Sequence, residues 1–160
     1  MSYPGPNRNG VYLREQCEVI ELPAGDAAEG KRRRSVTPSA EIMLVQAGRR
    51  RWLASAGYSL HSGDMRSHGS LPHDETEQEF PDRESALTSM LEYLLEQMNR
   101  VFLDRERGER RQKAAVKAGR YDPGCTVAQS EVREAERVAR WAAAQLNIEA
   151  PEQLLLWAAA

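Results

Sequence analysis

The stretch EIMLVQAGRRRWLASAGYSL, Glu41 to Leu60, decides how the chain folds. Ile42 to Val45 form a short, continuous apolar run that reads as a strand. Residues 47–50, AGRR, turn the chain. From Arg51 onward the pattern alternates strictly. Trp52, Ala54, Ala56, Tyr58 and Leu60 share one parity and therefore one face. The two runs predict an antiparallel hairpin over residues 41–60. Small Ala54 and Ala56 between large Trp52 and Tyr58 leave room for a helix to approach that face closely.

The helix follows in FPDRESALTSMLEYLLEQMNRVFLDRER, Phe80 to Arg107. Asp82, after Pro81, is a suitable N-cap. Leu87, Met90, Leu91, Leu94, Met98, Val101 and Phe102 recur at steps of three and four, which makes one wide apolar stripe. Past Gly108 the pattern resumes, as the same helix or a second one, and Gly119 ends it. Thr126 is expected to cap the next helix, whose buried side is Val127, Val132, Ala135, Val138, Ala139, Ala142 and Leu146. Pro151 opens a short terminal helix whose Leu154 to Trp157 are too apolar to stand in water.

Upstream of the hairpin, residues 1–10 are a loose Pro/Gly/Asn opening and Val11 to Leu22 read as one strand or two short ones. Strands first and helices after predict an α+β fold: an N-terminal antiparallel sheet, built on the 41–60 hairpin, packed on a long helix and followed by a C-terminal helical region. At 160 residues the chain is expected to be a single domain over 1–160, with a strand–loop–helix part at 11–98 and a helical extension at 99–160.

The net charge of -2 excludes a globally basic nucleic-acid binder and an acidic DNA mimic alike, so an electrostatic partner must meet a local patch. The N-terminus has no apolar segment of the signal-peptide kind, and no window approaches the run of about 20 apolar residues that a membrane helix needs. A cytoplasmic protein without membrane contact is the expectation. Cys17 and Cys125, far apart, are expected to be reduced thiols.

Every histidine lies between Tyr58 and Phe80: His61, His68 and His73, with Asp64, Asp74 and Glu75 among them. Their irregular spacing in a glycine-rich loop does not match the short, rigid spacings of metal sites, so solvated loop histidines are expected and no metal. Cys125 precedes a helix start, but no histidine is near it in sequence to serve as base. The phosphate-binding and nucleophile-elbow glycine motifs are missing. No cofactor and no enzymatic activity are expected.

Charge runs remain. Lys31 to Arg34 and Arg49 to Arg51 are basic clusters, and Arg105, Arg107, Arg110, Arg111, Lys113 and Lys117 make a basic helical stretch. Arg100–Asp104, Glu106–Arg110 and Glu109–Lys113 have the four-residue spacing of ordinary surface pairs. Asp74, Glu75, Glu77, Glu79, Asp82 and Glu84 form an acidic stretch that either pairs with the arginines or faces a basic partner.

The order of an aromatic strand (Trp52 to Tyr58), a Gly/Ser/Pro loop and a helix start with Phe80, Arg83, Glu84, Ala86 and Leu87 resembles a small strand–loop–helix module of accessory proteins carried by plasmids, phages and integrative elements. The resemblance covers about residues 41–98. It implies no catalytic residues, and it implies a counter-defence role of the anti-CRISPR kind, with a subunit of a CRISPR-Cas complex as protein partner. The resulting expectation is a non-enzymatic protein-binding factor. Its candidate contact residues are Arg49, Arg50, Arg51, Arg66, Asp74, Glu75, Glu77, Glu79, Arg107, Arg110 and Arg111. The alternative is a nucleic-acid-binding accessory protein that uses the arginines of the hairpin tip and the basic helix. Partner identity and oligomeric state stay open at this level.

Overall fold

The computed structural model describes residues 2–25, 37–61, 67–69, 71–75, 78–124 and 126–148. Strand β1 (Glu18–Leu22) pairs with β2 (Ala40–Gly48), β2 with β3 (Arg51–Ser59) and β3 with the two-residue β4 (Ser67–His68), all antiparallel and in sheet order β1-β2-β3-β4. Helix α1 (Arg83–Lys117) and helix α2 (Gln129–Gln145) follow. The expected α+β architecture, with the hairpin packed on a long helix, is the one observed.

The hairpin pairs Ala40 with Tyr58 through Gln46 with Trp52 and closes at Gly48 opposite Arg51. Arg49 and Arg50 are its two-residue turn, and neither adopts a positive φ. Turns of that kind splay strands apart. The register shift between Gln46 and Gly48 adds local twist and lets the hairpin close.

Strand parity sorts the sheet into two faces. Ile42, Leu44, Ala54, Ala56 and Leu60 join Leu91, Leu94, Met98, Val101 and Phe102 of α1 in the main core, with Trp52 and Tyr58 partly buried against it. The opposite parity, Val45 and Leu53, meets Tyr12 in a smaller core edged by Cys17 and Ala47. The N-terminal segment therefore covers the second face. The Val11–Leu22 stretch forms two pieces, a bridge of Val11 to His73 and β1 itself, separated by a 3-10 turn at Arg14–Gln16.

Asp82 caps α1 by accepting from the Ser85 amide at 2.7 Å. The helix then runs through Gly108 unbroken as a single element. A glycine costs a helix interior about 1 kcal/mol relative to alanine, too little to break a helix packed on a neighbour. It ends in a Schellman turn: the Gly119 amide donates to Val116 and the Arg120 amide to Ala115, with Gly119 at φ 65. Asn147, at φ 53, closes α2 the same way, with the Ile148 amide donating to Ala143.

Thr126 does not cap α2. The N-cap is Ala128, which makes no side-chain cap bond. The reason is packing: Val127 is fully buried, its carbonyl accepts from Arg105 of α1, and Ala128 after it is extended, so the helix starts only at Gln129. Cys125 and the expected terminal helix from Pro151 lie outside the described residues.

A 35-residue helix is about 52 Å long, whereas a nine-residue strand spans about 30 Å. The bridge between Trp52 and Phe80 starts α1 beside the hairpin tip. The far end of α1 therefore projects well beyond the sheet, and there Arg111 reaches Asp122 and Gly124 and Arg105 reaches Val127, in the segment that leads into α2. No helix among the described residues is long and apolar enough to cross a membrane.

Candidate interaction surface

The hairpin-tip end is mostly an internal ion network. Arg51 donates to Asp74 Oδ1 at 2.8 Å, to Glu79 Oε1 at 2.5 Å and to the Asp74 carbonyl at 3.1 Å. Buried Tyr12 donates its hydroxyl to the same Asp74 carboxylate at 3.1 Å. The Asp74 amide donates to Gly10, and the Tyr12 amide to Pro72. The Arg51 guanidinium holds the Asp74 carboxyl below its ordinary range, while burial followed by the Asp74 hydrogen bond pushes the Tyr12 phenol up. Three of the candidate contact residues, Arg51, Asp74 and Glu79, are thus brought together to fasten the second half of the 58–80 loop to the body.

Only Arg49 and Arg50 at the tip are exposed and make no ion pair among the described residues. Glu75 is exposed, and its amide donates to His73 Nδ1. Arg66 and Glu77, together with Lys31 to Arg34 and Asp64, lie outside the described residues. Among the described residues no group of three or more His, Cys, Asp or Glu side chains could hold a metal ion. Burial raises the Cys17 thiol pKa, and the thiol donates to the Leu13 carbonyl at 3.3 Å. Both facts suit a packing cysteine rather than a nucleophile.

Other carboxylates of this end serve as ties. Glu18 of β1 takes a two-pronged contact from Arg83, one arm at 2.8 Å, and that guanidinium lowers the Glu18 pKa. The contact fixes the first turn of α1 to the sheet. Arg14 spans Glu21 and Glu41.

The other cationic end differs. Between Arg105 and Arg120 stand seven basic residues and two acidic ones. Arg105 is structural: it pairs with Glu109 at 2.7 Å and donates to the Val127 carbonyl. Glu109 thereby turns back to Arg105, and Lys113 makes no ion pair among the described residues. Arg110 pairs with Glu106, as its spacing predicts, and Arg111 with Asp122 at 3.0 Å. Arg107, Lys113, Lys117 and Arg120 are exposed and make no ion pair among the described residues. From Arg110 to Tyr121 only Ala115 is buried; Val116 is 72% exposed and Tyr121 is 93% exposed.

The two ends are far apart. Arg107 lies 24 helical residues beyond Arg83, about 36 Å along α1. The hairpin-tip arginines and Arg107, Arg110 and Arg111 therefore do not form one surface. Arg120 and Tyr121, which belong with the second end, were not among the sequence candidates. Their signal is the C-terminal glycine at 119, which places the next two residues on the exposed helix tip.

Comparison of the chain with protein-family models, curated proteins and solved structures returned no match.

Proposed function

We propose that the chain is a non-enzymatic binding protein that docks an anionic macromolecule on the exposed basic end of α1. One observation carries this reading. Four cations that make no ion pair among the described residues, Arg107, Lys113, Lys117 and Arg120, sit on a helix end that projects past the sheet, whereas the hairpin tip offers only Arg49 and Arg50, its third arginine, Arg51, being locked to Asp74 and Glu79. Unpaired like charges on one surface repel each other, and a folded chain that keeps them gains from a partner of opposite sign. The absence of a catalytic motif in the sequence agrees with a binding role. The narrower role implied by the resemblance, inhibition of a bacterial defence complex, would use this same surface against an acidic face of that complex.

Titrating isotope-labelled protein with a heparin oligosaccharide and following amide shifts tests this. The expected shifts cluster between residues 107 and 121. Shifts centred on residues 10–20 or 71–80 instead would overturn it.

A further inference from the structure

We propose that the basic end of α1 contacts the phosphate backbone of duplex nucleic acid, without reading base sequence. This rests on the reading of that end as the docking surface and names its partner.

The arrangement of the charges comes first. At 100° per residue, Arg107, Arg110, Arg111, Lys113 and Lys117 fall within an arc of about 160°. That arc lies opposite the buried side, marked by Val101, Gly108 and Ala115. Ala114 is exposed within the same arc, and its small side chain lets a partner come close to the helix between the cations. The ridge is about 15 Å long from Arg107 to Lys117. Duplex DNA presents one charge per roughly 1.7 Å of axis, so this footprint faces on the order of nine phosphates. A single-sign partner of that density accommodates every cation on the ridge. Acidic side chains on a folded protein are usually interspersed with basic ones and match such a ridge less well.

The chemistry of the ridge selects within nucleic acids. It offers guanidinium and ammonium donors, which suit phosphate oxygens. Asparagine and glutamine, the residues that read adenine edges, do not occur in the arc. Contacts of this kind position a protein on the duplex but carry no sequence information. The shape argues for a duplex over a single strand. Single strands are held in grooves by several stacked aromatic rings, whereas this surface is a convex helix with one exposed aromatic, Tyr121, beyond its end.

Fluorescence anisotropy with two unrelated labelled duplexes of about 20 base pairs tests the proposal. The expected result is binding at about 50 mM salt with affinities equal within about twofold. Log affinity against log salt should fall with a slope of about -3 to -4, at about 0.9 for each of the four cations not engaged in an ion pair, Arg107, Lys113, Lys117 and Arg120. Lys113→Glu with Lys117→Glu should lower affinity at least about tenfold and reduce the slope by about 2. Lys113→Gln with Lys117→Gln should give a smaller loss in the same direction, with helix content unchanged. No duplex binding, a slope near zero, or unchanged affinity in these variants would overturn the proposal, as would tighter binding to a single strand of equal length. Heparin binding through residues 107–121 without duplex binding would overturn it too, while leaving the anionic docking surface in place.

Discussion

Arg137 of α2 holds a buried polar latch whose removal has a calculable cost. Its guanidinium donates to Ser39 Oγ and to Glu134 Oε1, each at 2.8 Å, and to the Pro23 carbonyl. Ser39 is fully buried and also donates to Glu134, whose side chain is 5% exposed. Gly25 packs so close that a Cβ there would stand 2.8 Å from Arg137 Nε. The latch is the polar tie between α2 and the start of β2. Arg137→Met leaves the Glu134 carboxylate buried with only a hydroxyl to answer it. Breaking a buried pair from one side costs about 3–5 kcal/mol. Because the Arg137 side chain is 36% exposed, water reaches the pair, which brings the figure to about 2–3 kcal/mol. With a urea dependence of about 2 kcal/mol per molar, the unfolding midpoint should fall by about 1–1.5 M. Ser39→Ala, Glu134→Leu and Arg137→Met together leave no buried polar atom of these three side chains unanswered, and that triple variant should come within about 1 kcal/mol of the original. Urea titration followed by circular dichroism measures both. A midpoint shift below about 0.3 M for Arg137→Met, or a triple variant as unstable as the single one, would refute the latch.

Asp82→Ala should lower the midpoint in the same assay by removing the α1 cap, while Asp82→Asn should retain most of the stability. Leu94→Ala, in the main core, should cost about 3–5 kcal/mol. Leu53→Ala should fall nearer 2 kcal/mol, because the second core holds only three buried residues and closes around the gap more readily. Acid should destabilise the protein. Glu18, Asp74 and Asp82 have folded pKa values lowered by Arg83, by Arg51 and by the Ser85 amide. Their contribution is complete above the ordinary carboxylate range, about pH 4, and is lost as pH falls through the lowered values. Urea midpoints should therefore be level from pH 7 to about 5 and drop below about 4, less steeply in Arg83→Met.

The sheet and the two helices were legible because local pattern determines them. The Trp52–Leu60 alternation, the α1 stripe and the Asp82 cap each place residues by spacing alone. The single helix through Gly108 was left open, since one glycine weakens a helix by an amount that only tertiary packing can override. The α2 start was misread for a related reason. Thr126 has the right chemistry for a cap, but the Val127 carbonyl is committed to Arg105, 22 residues away. The charged clusters were visible and their roles were not. Nothing in the spacing separates Arg51, which is locked to Asp74 and Glu79, from exposed Arg49 and Arg50. The latch joins Ser39 to Glu134 across 95 residues of sequence. Glutamates rarely lie fully inside, yet Glu131 and Glu134 are both buried, which their spacing does not signal.

The most direct measurement compares the two cationic ends in one experiment. Calorimetric titration with a heparin oligosaccharide at about 50 mM salt would use the original protein, Arg49→Glu with Arg50→Glu, and Lys113→Glu with Lys117→Glu. The account predicts that the helix-end variant loses at least about tenfold in affinity and the hairpin-tip variant less than about twofold. A hairpin-tip variant that loses binding while the helix-end variant keeps it would contradict the account.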